Sequence, residues 1–125
     1  EWALLNWDPY NIGVTVHRVT KAIDGGAIYG QSRVQVDASD TVDSIEEKIC
    51  FEGGQLFISA LDALAAGKSL ELQEQNPGVG TLRLGLHWDA LCESRVHRLT
   101  SPEIMAAMLM RPSRREQPIV ERILP

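Results

Sequence analysis

Cysteine is scarce. Cys50 and Cys92 are the two in 125 residues, too few for a disulfide framework, so reduced buried thiols in a cytoplasmic setting are the expectation. No apolar run approaches the roughly 20 residues that span a bilayer. The opening Glu1-Trp2-Ala3-Leu4-Leu5 lacks the basic stretch and cleavage site of a secretory leader, and no membrane association is expected. Basic charge is short as well: 12 Lys and Arg against 17 Asp and Glu give a net charge of −5, a poor balance for general phosphate binding. The shortage is uneven, with a net −7 over residues 1–80 and +2 over residues 81–125. Arg111, Arg114, Arg115 and Arg122 lie in that second stretch and read as a solvated tail with a weak leaning toward an anionic partner. Internal repeats and low-complexity stretches are absent too. What remains, 44% hydrophobic and 23% charged residues, is the composition of a chain that builds a core, at a length suited to one domain or part of one.

Gly13-Val14-Thr15-Val16-His17-Arg18-Val19 is rich in β-branched residues and predicts a strand, with Val14 and Val16 on one face and Thr15 and His17 on the other. Lys21 to Gly26 predicts a loop in which Gly25 and Gly26 tolerate positive φ or close backbone approach. A second strand is expected from Ala27 to about Asp37, the two forming a ribbon with Asp24 at its turn. Asp40-Thr41 predicts the cap of a long helix. Its core face is expected to carry Ile45, Ile49, Leu56, Ala60 and Leu64, widened by Val42, Phe57 and Leu61. Gly53-Gly54 implies close packing or a bend inside it, and Gly67 occupies the C-terminal cap position. Beyond it, extended pieces are expected at 68–75 and 81–88, separated by the breaker Asn76 to Gly80. One apolar helix within 98–111 is expected to open on a capping box at Thr100-Ser101-Pro102-Glu103.

Few side chains are placed for chemistry. His87, Cys92 and His97 recur at intervals of five but lack a fourth ligand and the paired spacing of zinc sites, so no metal is expected. Cys50 reads as an inert thiol within the long helix. Gly78-Val79-Gly80 lacks the lysine of a phosphate loop and reads as a turn. His17 and Asp24 are the informative pair, because a strand leading into a turn brings a histidine and an acid toward one end of a ribbon. Such a pair serves either proton transfer or a plain structural hydrogen bond.

One ordered series runs through these residues: Trp2-Ala3-Leu4-Leu5-Asn6, Gly13-Val14-Thr15-Val16-His17, Asp24-Gly25-Gly26-Ala27-Ile28, Gln31 and Asp40-Thr41. It resembles the C-terminal half of the formyltransferase catalytic domain found in the glycinamide ribonucleotide, methionyl-tRNA and sugar N-formyltransferases, over about residues 2 to 66. The resemblance implies an α/β fold, a β ribbon with a long packing helix. It also implies transfer of a formyl group from 10-formyltetrahydrofolate to an amine acceptor, either a small molecule or tRNA, within one-carbon metabolism. By the same resemblance Asp24 is the catalytic aspartate, His17 a supporting residue, and Lys21, Ala22, Ile23, Asp24 and Gly25 line the folate pocket. That chemistry needs a donor for a tetrahedral oxyanion and an acceptor for the amine proton.

The family supplies its oxyanion donor and first histidine from an Asn-x-His segment. Here the asparagines are Asn6, Asn11 and Asn76, and none has a histidine two places on. Together with a start in mid-motif, this gives the expectation of a piece of a longer enzyme, inactive alone and lacking an N-terminal half, or a degenerate remnant. Residues 1–67 are read as the formyltransferase-like half, and 68–125 as a short α/β extension ending in a charged tail. The alternative reading is a noncatalytic binding or assembly module, and self-association is possible under either.

Overall fold

The computed structural model describes residues 1–21, 24–76 and 85–112. It is a mixed α/β structure with a two-stranded antiparallel sheet. The described residues separate into two compact units, each drawing on distant parts of the sequence: residues 1–12, 33–48 and 85–112 form one, and residues 13–21, 24–32 and 49–76 the other.

The second unit holds the ribbon. Strand β1 is Gly13–His17 and strand β2 is Ile28–Arg33, both shorter than the pattern implies. β1 stops because Val19 is 90% exposed and finds no surface to pack on, although Arg18 N–H still donates to the Ala27 carbonyl at 2.9 Å. The expected alternation holds: Val14 and Val16 lie on the packed face, and Thr15 accepts a 3.0 Å hydrogen bond from Gln31 across the ribbon. Tyr29, Leu56 and Ala60 form the centre of this unit's core, with Val16, Leu70 and Leu72 against it. Of the extended piece expected at 68–75, only a single antiparallel bridge between Gln73 and Ile28 forms.

Helix α2, Val42–Ala65, begins and ends as its sequence demands. Thr41 Oγ1 accepts from Ser44 N–H at 3.2 Å while Ser44 Oγ accepts from Thr41 N–H at 3.0 Å, a reciprocal cap that satisfies two end donors. At the other end Gly67 takes φ +71°. Its N–H donates to Leu64 and that of Lys68 to Ala63, so the glycine closes the helix in a left-handed turn that other residues resist. Gly53 is the closely packed glycine of the pair, since a Cβ there would lie 3.1 Å from Val14 Cγ2; one on Gly54 would meet nothing.

The expected core face of α2 needs correction. Val42, Ile45, Leu56 and Ala60 are buried, but Phe57, Leu61 and Leu64 are exposed, as are Phe51 and Ile58. Helical spacing identifies apolar rows without telling which of two rows is covered. Cys50 is likewise exposed and Cys92 half-buried, so neither is the buried thiol the composition implies.

The first unit packs a short helix α1, Trp2–Leu5, against helix α3, Ala90–Leu99, which in turn meets helix α4, Pro102–Leu109. Leu4, Val96, Met105 and Met108 are almost wholly buried, each worth about 1.5–3 kcal/mol relative to an exposed side chain. The helix expected within 98–111 is α4, whereas α3, which precedes it, is not foreshadowed by the apolar pattern. Thr100 and Ser101 separate them, and Pro102, which has no N–H to give, sits at the first position of α4. Ser101 makes no side-chain cap, so the capping box is not formed. Asp89 instead caps α3, its carboxylate accepting from Cys92 N–H at 2.8 Å. That bond holds the Asp89 carboxyl below its ordinary value. Gly85–His87 is a 3-10 turn where a strand was expected; residues 81–84 of that stretch lie outside the described residues. No described helix is long and apolar enough to cross a membrane.

Candidate functional site

The end of β1 and the bend before β2 bring the expected pair together. His17 Nε2 and Asp24 Oδ1 are 3.7 Å apart, with the imidazole 26% and the carboxylate 87% exposed. The other ring nitrogen, Nδ1, lies 3.1 Å from the Arg18 carbonyl oxygen. A carbonyl only accepts, so this contact favours the tautomer with its proton on Nδ1 and leaves the Nε2 lone pair toward Asp24. In that state the Nε2 lone pair faces the carboxylate across 3.7 Å, too far for a direct hydrogen bond.

Backbone geometry fixes the acid. Asp24 has φ +52°, a region that Asp enters more readily than most residues but still at a cost. The sequence assigns this freedom to Gly25 and Gly26, whereas the structure places the left-handed residue at Asp24 itself. Gly26 answers a different need: a Cβ there would stand 1.6 Å from the Arg18 carbonyl oxygen, so only glycine lets the two backbones approach at the base of the bend. Gln75 completes the bend, its side-chain amide donating to the carbonyls of Asp24 at 2.7 Å and Gly26 at 2.6 Å. Gln75 has no local motif to reveal it, being brought in by the bridge between Gln73 and Ile28.

Lys21 and Gly25 are exposed on this bend, and Ala22 and Ile23 lie outside the described residues. His87, Cys92 and His97 do not gather. Cys92 Sγ sits 3.9 Å from the His87 carbonyl oxygen and His97 pairs with Glu93 at 3.3 Å. Among the described residues no group of three or more His, Cys, Asp or Glu side chains is placed to hold a metal ion. Arg111, read as part of a solvated tail, covers the Trp7 ring at 4.9 Å; Arg114, Arg115 and Arg122 lie outside the described residues.

The family model described as formyl transferase matches residues 1–61. Residues 1–61 belong to the formyl transferase family. The formyl transferase segment contains His17, Lys21, Asp24 and Gly25, while Gln75 falls beyond it. The ribbon and long helix are compatible with part of a formyl transferase fold. No solved structure matches the chain.

Proposed function

We propose that this formyl transferase segment takes part in moving a formyl group from 10-formyltetrahydrofolate to an amine acceptor, with Asp24 as the proton-handling carboxylate and His17 as its support. The observation that carries the reading is the 3.7 Å approach of His17 to an exposed Asp24 carboxylate on a bend pinned by Gln75, within the segment that matches the family. The fit to the folate donor rests on the same bend: Lys21 and Gly25 are open to a ligand, and the outward carboxylate is free to accept hydrogen bonds. When bound, the donor supplies the activated formyl carbon. Asp24 takes the proton lost by the attacking amine nitrogen, with the His17 imidazole beside it. The oxyanion donor is not offered by an Asn-x-His segment in this chain, so the chain by itself binds without turning over.

Hydrogen exchange on the 125-residue chain, with and without 10-formylfolate, tests this reading. Slower exchange at residues 21–26, saturating with ligand, supports it. Exchange there that ignores the ligand removes the folate assignment.

A second reading, a noncatalytic assembly module, is favoured by one observation: Phe57 at 54%, Ile58 at 52% and Leu61 at 48% exposed lie along one side of α2, an apolar row that water covers poorly. Sedimentation of the chain against its Phe57→Glu, Leu61→Glu variant separates the readings. A parent that self-associates and a variant that is monomeric supports assembly, and two monomers oppose it.

A further inference from the structure

The first unit holds a cavity of about 540 Å³ whose lining includes Trp2, Leu5, Trp7, Arg95, Arg98 and Leu99. That volume falls within the roughly 300–1,000 Å³ typical of small-molecule sites. The lining is unusual in its charge: it contains two arginines and no carboxylate, in a chain with an excess of acid. Arg95 and Arg98 are three apart on α3 and so share a side of the helix. Among the described residues neither guanidinium has a hydrogen-bond or salt-bridge partner, and Arg95 is attracted to the Asp89 carboxylate only at longer range. The acids nearest in sequence are committed elsewhere. Asp89 caps α3 through Cys92 N–H, and Glu93 accepts from Trp88 Nε1 at 2.8 Å and pairs with His97.

The aromatic part of the lining is held in place. Trp2 is braced edge-on by Trp88, with ring centroids 5.0 Å apart and planes at 87°. Trp7 takes φ +58°, a left-handed conformation that is a genuine outlier for so bulky a residue. Strain of this kind clusters where side chains are aimed at ligands. The Arg111 guanidinium over the Trp7 ring adds a third cation beside it. Flat apolar surface and guanidinium forks with no hydrogen-bonded carboxylate in one cavity select a ligand with both features.

We infer that this cavity binds an aromatic anion, its planar ring against Trp2 and Trp7 and its phosphate or carboxylate on Arg95 and Arg98. The inference does not rest on the formyl-transfer reading, since none of its residues is among those assigned to the folate bend, and either can fail alone.

Calorimetric titration of the 125-residue chain at low salt tests it with four probes: uridine 5′-monophosphate, indole-3-acetate, uridine and inorganic phosphate. At least one of the two ring-bearing anions is expected to bind ten times more tightly than either uridine or phosphate. Which one does so distinguishes a phosphate ligand from a carboxylate. The double variant Arg95→Gln, Arg98→Gln is expected to weaken that probe at least tenfold with unchanged circular dichroism, because both side chains are exposed. Trp7→Leu should weaken it about tenfold as well, and Arg98→Lys, which keeps the charge, by less. Should phosphate alone bind as tightly as the ring-bearing anions, or the glutamine variant bind like the parent, the inference is overturned. Absence of binding by all four probes overturns it equally.

Discussion

Asp24 stands 3.7 Å from His17 with its own backbone in the left-handed region, so a charge and a strained conformation coincide in one residue. The two are separable by mutation, because asparagine tolerates left-handed φ about as well as aspartate but cannot take up a proton. In a formyl transferase that contains this segment together with an Asn-x-His donor, Asp24→Asn is expected to lower turnover by about 10²-fold or more while folate affinity changes little. Steady-state kinetics beside a folate titration measure both. Full turnover in the variant removes the proton-handling role, and a lost affinity with normal kcat makes Asp24 a binding residue only.

The glycines of this chain are not equivalent. Gly26→Ala forces a methyl group to within 1.6 Å of a backbone oxygen, which neither a rotamer change nor a small side-chain shift relieves, and it should destabilise the fold by about 3 kcal/mol. Gly54→Ala meets nothing in the middle of α2 and should stabilise it by about 0.5–1 kcal/mol through helix propensity. Urea unfolding of both variants gives opposite shifts in midpoint if this contrast is right. Gly53→Ala falls between, its propensity gain set against the 3.1 Å contact with Val14.

The contrast shows what a sequence of this kind discloses. The start and stop of α2 are legible because they are local: Thr41 and Ser44 are three apart, and Gly67 follows the last apolar turn. The His17–Asp24 pair is legible for a similar reason, a strand running into a glycine-flanked bend. Gln75 is not, because its partners Asp24 and Gly26 are remote in sequence and nothing in its own neighbourhood marks it. Helix α3 was within reach: Asp89 at its cap, Glu93 in its first turn and His97 and Arg98 in its last are ordinary boundary signals. Low hydrophobicity hid it, since Val96 is its one fully buried residue. Phe57 and Leu61 misled in the opposite direction, being apolar in register yet exposed.

Gln75 is expected to matter through the bend it holds. Gln75→Ala leaves the carbonyls of Asp24 and Gly26 without their donor, and Gln75→Glu places a carboxylate where only a donor is useful. Both should loosen the bend, the buried Gly26 carbonyl contributing about 1–2 kcal/mol of local opening energy. Faster amide exchange over residues 24–28 with little change in α3 and α4 is the expected result. Unaltered exchange would mean the bend is held by its backbone alone.

Asp40 tests how the start of α2 is held. It is 7% exposed, and burial by itself disfavours its charge. Hydrogen bonds from Asp37 N–H at 2.7 Å, from the Lys48 ammonium at 2.6 Å and from the Ser44 hydroxyl at 2.7 Å outweigh that cost and hold the carboxyl below its ordinary value of 3.8. Lys48 moves oppositely, raised above 10.5 by the Asp40 hydrogen bond first, with Asp37 at 3.3 Å adding to it. A carboxyl lowered on folding contributes stability above its unfolded value and loses it as the pH falls through the folded one. The stability from Asp40 is therefore fully present near neutral pH and fades below about pH 3.8. That from Lys48 fades only as the pH rises beyond 10.5. Asp40→Asn keeps the shape but not the charge, so it should lower stability by about 1–3 kcal/mol at pH 7. The gap to the parent should close as both are taken to pH 2. Urea unfolding at several pH values measures that gap, and one that stays constant from pH 7 to pH 2 would show that the ionised Asp40 contributes nothing to the cap.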